Sequence, residues 1–105
     1  MGTRSAGNSG RVQKKLMVQY KIRITGQVKG VGFRYFTQKR ATEFNITGWV
    51  KNTPGGVLVM ARGNESDMQT FLDHLRIGPQ LARVDNIEKY KMPALEPFDG
   101  FMVKY

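Results

Sequence analysis

Thr25-Gly26-Gln27-Val28-Lys29-Gly30-Val31-Gly32-Phe33-Arg34-Tyr35-Phe36 separates two different periodicities. On its N-terminal side, Val18, Tyr20, Ile22 and Ile24 alternate with Gln19, Lys21, Arg23 and Thr25, the period-two pattern of a half-buried strand. On its C-terminal side, Phe33, Phe36, Ala41 and Phe44 form an apolar stripe at helical spacing, with Thr37 and Arg40 in the same repeat. The stretch therefore reads as a strand, a glycine-rich loop and a helix that opens at Phe33-Arg34. Glycines let the backbone turn tightly and let successive N–H groups converge. A helix start adds unsatisfied N–H groups and the positive end of a dipole. An anion suits such a place, and Arg34 could close over it with a bidentate fork. The same residues would also serve as a plain flexible turn, and spacing alone leaves both readings open.

Two look-alikes fail. A Walker loop needs G-x-x-x-x-G-K-[ST], which does not occur. Lys29 to Phe36 imitates the RNA-binding strand signature, but Val31 stands where an aromatic ring would stack on a base, and Arg34 where an apolar residue would face the core. The segment also enters a helix, whereas base-stacking aromatics of that module lie on strands one and three. The third strand, Val57-Leu58-Val59-Met60-Ala61, carries none, so nucleic acid is not an expected partner.

Composition narrows the chemistry. The chain has 105 residues, no cysteine and one histidine, His74. That size suggests one domain. Disulfides, thiolate nucleophiles and histidine-rich metal sites are excluded, and no cofactor or metal is expected. The absence of cysteine fits a reducing compartment. No apolar run is long enough to span a bilayer and no signal-peptide core is evident, so the cytoplasm is the expected location and a membrane is not an expected partner. The formal net charge is +9, of which residues 1–19 supply +4 through Arg4, Arg11, Lys14 and Lys15. Such a balance attracts anionic ligands at long range.

The remaining chain follows in order. Residues 1–19 are expected to be a flexible basic tail, native arm or expression residue, and 20–105 the folded domain. After the first helix a second strand spans about Thr47 to Asn52. Thr53-Pro54-Gly55-Gly56 is a turn, and Val57 to Ala61 a third strand, making a hairpin. Leu58 and Met60 face away from Val57 and Val59, onto an open sheet face or the C-terminal segment. Asn64 and Asp67 read as a capping pair for a helix with Met68, Phe71, Leu72 and Leu75 on one stripe, ended by Gly78-Pro79. His74 lies off that stripe and is expected to be solvated. Val84 to about Tyr90 is a fourth strand, Pro93 to Pro97 a loop, and Phe98 to Tyr105 a fifth strand. The order β-α-β-β-α-β predicts a ferredoxin-like α+β sandwich: an antiparallel sheet with both helices on one face, plus an extra C-terminal strand.

With this order established, Gly26-Gln27-Val28-Lys29-Gly30-Val31-Gly32-Phe33-Arg34 resembles the acylphosphatase signature G-x-V-Q-G-V-x-F-R. Gly48-Trp49-Val50-Lys51-Asn52, followed by Gly56, resembles that family's second signature. Tyr35-Phe36-Thr37-Gln38, Ala41, Gly63, Gly78-Pro79 and Ala82-Arg83-Val84 follow its order, so the resemblance runs from about Tyr20 to Tyr105. It implies hydrolysis of the carboxyl–phosphate anhydride of small acyl phosphates, with inorganic phosphate as product and competitive inhibitor. It also implies that the loop Gln27, Val28, Lys29, Gly30, Val31, Gly32 and Phe33 holds the phosphate, that Arg34 binds it, and that Asn52 orients the attacking water, without metal or covalent intermediate. Two departures stand out. Lys29 replaces the usual Gln, adding a charge beside the loop, and Gly55 replaces the usual Asp before Gly56.

Overall fold

Seven elements make up the computed structural model, which describes residues 16–94 and 97–105. They are β1 (Met17–Gln27), α1 (Phe33–Glu43), β2 (Thr47–Thr53), β3 (Gly56–Asn64), α2 (Glu65–Ile77), β4 (Arg83–Met92) and β5 (Phe101–Lys104). The strands form one sheet in the order β4-β1-β3-β2-β5. β1 pairs antiparallel with β3 and β4, and β2 antiparallel with β3. The four-strand arrangement is the antiparallel ferredoxin-like sheet expected from the sequence. β5 makes the sheet mixed, because it runs parallel to β2, Gly48 to Lys51 facing Phe101 to Lys104. The segment after β4 carries the chain from one sheet edge to the other, so its last strand arrives in the direction of β2 rather than against it.

Alternation on β1 decides which side is buried. Val18, Ile22 and Ile24 join Val50 of β2, Val57, Val59 and Ala61 of β3, and Phe101 of β5 under the two helices. The helices contribute Phe33 and Ala41 from α1, and Met68, Phe71, Leu72 and Leu75 from α2. Burial of a Leu, Ile or Phe side chain stabilises by roughly 1.5–3 kcal/mol, so this one layer carries most of the fold's apolar gain. The α1 stripe differs from the expected one in detail. Its fully buried positions are Phe33, Thr37 and Ala41, with Phe36 and Phe44 only partly covered. Thr37 tolerates the core because its hydroxyl donates to the Phe33 carbonyl at 2.9 Å, which satisfies the buried polar group.

Three further expectations are refined. β1 begins at Met17, and Val18 is buried, so residues 17–19 belong to the sheet rather than to the tail; the tail before residue 16 lies outside the described residues, as do 95 and 96 of the Pro93–Pro97 loop. His74 is half-buried, with its ring centroid 5.0 Å from that of Phe44, because α2 lays this turn against the end of α1. β5 spans only Phe101–Lys104, since Gly100 turns at positive φ and its carbonyl accepts from the Gly48 N–H. Leu58 and Met60 lie opposite Lys51 and Trp49, on the sheet face without helices.

Candidate active site

The loop between β1 and α1 is held at both ends by the core. Val28 and Phe33 are each 1% exposed, and between them Gly30 and Gly32 have φ of 73° and 76°. This left-handed region is costly for residues with a Cβ. At the loop's entrance, a Cβ on Gly26 would collide with the Arg83 carbonyl. That position must be glycine for β4 to close against the end of β1.

α1 starts without a cap of its own. Gly32, at the N-cap, offers no side chain, and no acidic residue lies in the first turn. The first N–H groups of the helix and its positive dipole end therefore lack an internal anion. A cleft of about 520 Å³ opens at this point, lined among others by Val28, Gly30, Gly32, Phe33, Arg34 and Asn52. Asn52 stands opposite Val57 near the end of β2. It shares the helix-facing parity of buried Val50, and its own side chain is exposed.

Arg34 meets the C-terminal strand on the far side of the cleft. Its Nη1 donates to the Lys104 carbonyl at 2.8 Å, and its Cζ lies 4.6 Å from the centroid of the Tyr105 ring. A guanidinium has five N–H donors, so one hydrogen bond to a carbonyl leaves the rest of the fork for an anion. Gln38 anchors α1 to the same strand by donating to the Phe101 carbonyl at 3.1 Å.

The loop residues divide between two depressions. Gly30, Gly32 and Phe33 line the cleft with Arg34 and Asn52. Gln27, Lys29 and Val31 border a separate shallow depression together with Pro54, Gly55 and Gly56, and Val28 borders both. The Lys29 ammonium reaches the Pro54 carbonyl at 3.4 Å. The charge expected beside the anion loop is thus directed at the β2–β3 turn, where it links two loops. Gly55 has nothing within 4 Å of a Cβ position.

Comparison with known proteins gives these residues a family. The acylphosphatase family model matches residues 20–103. The chain belongs to the acylphosphatase family. An acylphosphatase of Oceanobacillus iheyensis is 43% identical over 91 residues, covering 85% of this chain and all of that protein. The crystal structure of acylphosphatase from Bacillus subtilis superposes with a TM-score of 0.81 at 37% identity, covering 84% of this chain and 99% of that one. A crystal structure of full-length HypF in its phosphate- and nucleotide-bound form superposes with a TM-score of 0.83 at 28% identity, over 90% of this chain but only 13% of that much longer one.

Both acylphosphatase signatures thus border one cleft, although they lie on different elements. The contribution of β5 and Tyr105 was absent from the sequence reading. A backbone carbonyl such as that of Lys104 has no residue signature, and the stacking of Tyr105 on Arg34 depends on β5 lying beside β2. The alternation Phe101, Val103, Tyr105 was the one available hint.

Proposed function

We propose that this chain hydrolyses small acyl phosphates to a carboxylate and inorganic phosphate by direct attack of water, with Arg34 and Asn52 as its principal side chains. The observation that carries the reading is the uncapped start of α1 opening into the cleft that Arg34 and Asn52 share. The loop N–H groups would hold the phosphoryl oxygens. Arg34, held by the Lys104 carbonyl and the Tyr105 ring, would stabilise the charge that develops on them. The Asn52 side-chain carbonyl would accept a hydrogen bond from water and set its angle of attack.

Such sparse machinery suffices because of the leaving group. The bond from phosphorus to the acyl oxygen breaks as the bond from phosphorus to the water oxygen forms. The carboxylate departs as an anion with a conjugate-acid pKa of about 4.3, taking a Glu side chain as the guide. An alkoxide would need a general acid, since its conjugate acid lies nearer ~16 by analogy with water. An amide is too weak a base to take the water proton, so that proton passes to a phosphoryl oxygen. The substrate is a small molecule rather than a nucleic acid, inorganic phosphate competes with it for the loop, and the cytoplasmic setting belongs to the same reading.

The test is hydrolysis of benzoyl phosphate in the presence of EDTA. Turnover should persist, and inorganic phosphate should inhibit competitively. Loss of turnover in EDTA with recovery on adding Mg²⁺ would contradict the reading.

A further inference from the structure

The sheet face without helices carries a pattern that the active site does not use. Strand register aligns Tyr90 of β4, Lys21 of β1, Met60 of β3, Trp49 of β2 and Met102 of β5 in one row across the sheet. The adjoining row is Glu88, Arg23, Leu58, Lys51 and Lys104, and Gln19, Arg62 and Thr47 adjoin the first row on its other side. Among the described residues of these rows, Lys21, Arg23, Lys51, Arg62 and Lys104 therefore share a face with two aromatic rings and one carboxylate, Glu88. Four other acids lie on the helix layer, Glu43 on α1 and Glu65, Asp67 and Asp73 on α2, while Asp85 lies near the start of β4 and pairs with Arg83.

Each aromatic ring is flanked by cations. The Lys104 and Lys51 ammonium groups lie 4.4 and 5.7 Å from the centroid of the Trp49 ring. Tyr90 is 46% exposed and borders a shallow depression with Lys21, Arg23 and Met92. Its hydroxyl donates to Glu88 at 3.1 Å. That hydrogen bond, reinforced by the carboxylate charge, raises the Tyr90 pKa, so the ring stays neutral and Glu88 is engaged. Three strand spacings of about 4.8 Å put the two rings roughly 14 Å apart. Arg62 adds a buried Nε without a hydrogen-bond partner among the described residues.

We propose that this face binds single-stranded nucleic acid, with bases stacking on Tyr90 and Trp49 and phosphates on the surrounding Lys and Arg side chains. A strand that offers alternating π-faces and negative charges matches alternating rings and cations, and such contacts tolerate sequence. A duplex hides its base faces and could meet only the cations. The expectation against nucleic acid rested on the lack of aromatics on the first and third strands. The rings sit instead on β2 and β4, the strands on either side of that central pair. The inference concerns a face of the sheet that meets the cleft only at edge strand β5, where Met102 borders both, and it does not depend on the proposed hydrolysis.

Trp49 is the only tryptophan, so its fluorescence reports directly on the face. The experiment titrates the full chain with an oligothymidylate of about 15 nucleotides, near the upper site size of single-strand platforms, and with a duplex of the same length, at several salt concentrations. Expected results are a change in Trp49 emission, weaker duplex binding, and a log–log salt slope of about −0.7 per phosphate neutralised. Tyr90→Ala should weaken oligothymidylate binding about tenfold, and Lys21→Gln with Arg23→Gln should flatten the salt slope. The charge-matched pair Lys39→Gln with Arg76→Gln, on the helices, should change affinity by less than about twofold. Three results overturn the proposal: no binding at low salt, binding without a change in Trp49 emission, or equal losses from the sheet and helix variant pairs. Equal affinity for the duplex, unmoved by Tyr90→Ala, would reduce the face to plain cationic attraction and overturn it as well.

Discussion

The two helices begin in opposite ways. α2 begins at Asn64, whose Oδ1 accepts from the Asp67 N–H at 2.8 Å while its Nδ2 donates to the Asp67 carboxylate at 2.8 Å. Glu65 and Asp67 add negative charge in the first turn. That terminus is satisfied from within, as a structural helix requires. α1 begins at Gly32 with no side-chain cap and no acid. Its nearest charged side chain toward the cleft is Arg34, which makes the local field more positive still. One terminus is completed by the chain's own side chains, and the other, which lacks them, is where the proposed function puts the phosphoryl group.

That contrast can be broken from either side. The largest effect is expected from Arg34→Ala, which should lower kcat/KM for benzoyl phosphate by about 10³-fold or more, on the scale of arginines that stabilise transferred phosphoryl groups. Arg34→Lys should recover little of it, since a point charge does not reproduce the fork. Near-normal kinetics in the lysine variant would remove bidentate geometry from the account. Next, Gly32→Asp would give α1 the kind of anionic start that α2 possesses. Nothing lies within 4 Å of a Cβ there, and Asp tolerates the left-handed conformation better than most residues. Inhibition by phosphate should weaken about tenfold or more while the domain still folds. Unchanged phosphate inhibition, with folding confirmed by circular dichroism, would show that the start of α1 does not face the anion.

The converse change is Asn64→Ala at α2. It should reduce unfolding free energy by about 1 kcal/mol and leave kcat/KM within about twofold, as read by denaturant titration beside steady-state kinetics. A large kinetic loss there would erase the distinction between the two termini. Lys29→Gln should do least. Because the ammonium reaches the exposed Pro54 carbonyl rather than the cleft, phosphate inhibition should shift by about twofold or less and the shift should fade with salt. A change in kcat at constant KM would place Lys29 in the chemistry after all.

Much of this contrast was legible in the sequence, because it is local. Asn64 and Asp67 stand three residues apart, and Gly30-Val31-Gly32 precedes an apolar stripe. Local chemistry of this kind also yielded the element order and hence the four antiparallel strands. What the sequence withheld depends on contacts distant along the chain. The parallel pairing of β5 with β2 follows from a crossover between sheet edges, for which no turn residue codes. The grip of Lys104 and Tyr105 on Arg34 spans some seventy positions. The side of the loop on which Lys29 falls depends on the β2–β3 turn, 25 positions away, whose Pro54 carbonyl its ammonium reaches. Thr37 in the core and His74 against Phe44 were missed for a similar reason. A polar residue is acceptable in the interior once a neighbouring turn or ring receives it.

Asn52→Ala examines the division of labour in the cleft most directly. The proposed function gives the water to Asn52 and the phosphate to the loop with Arg34. Isothermal titration with inorganic phosphate, run beside steady-state hydrolysis of benzoyl phosphate, separates the two. Phosphate affinity should stay within a few-fold of the unsubstituted protein, while kcat falls by about 10²-fold or more, a typical penalty for lost orientation. Loss of phosphate affinity in proportion to the loss of kcat/KM would make Asn52 a phosphate ligand or a structural residue of β2, and would contradict the water-positioning role.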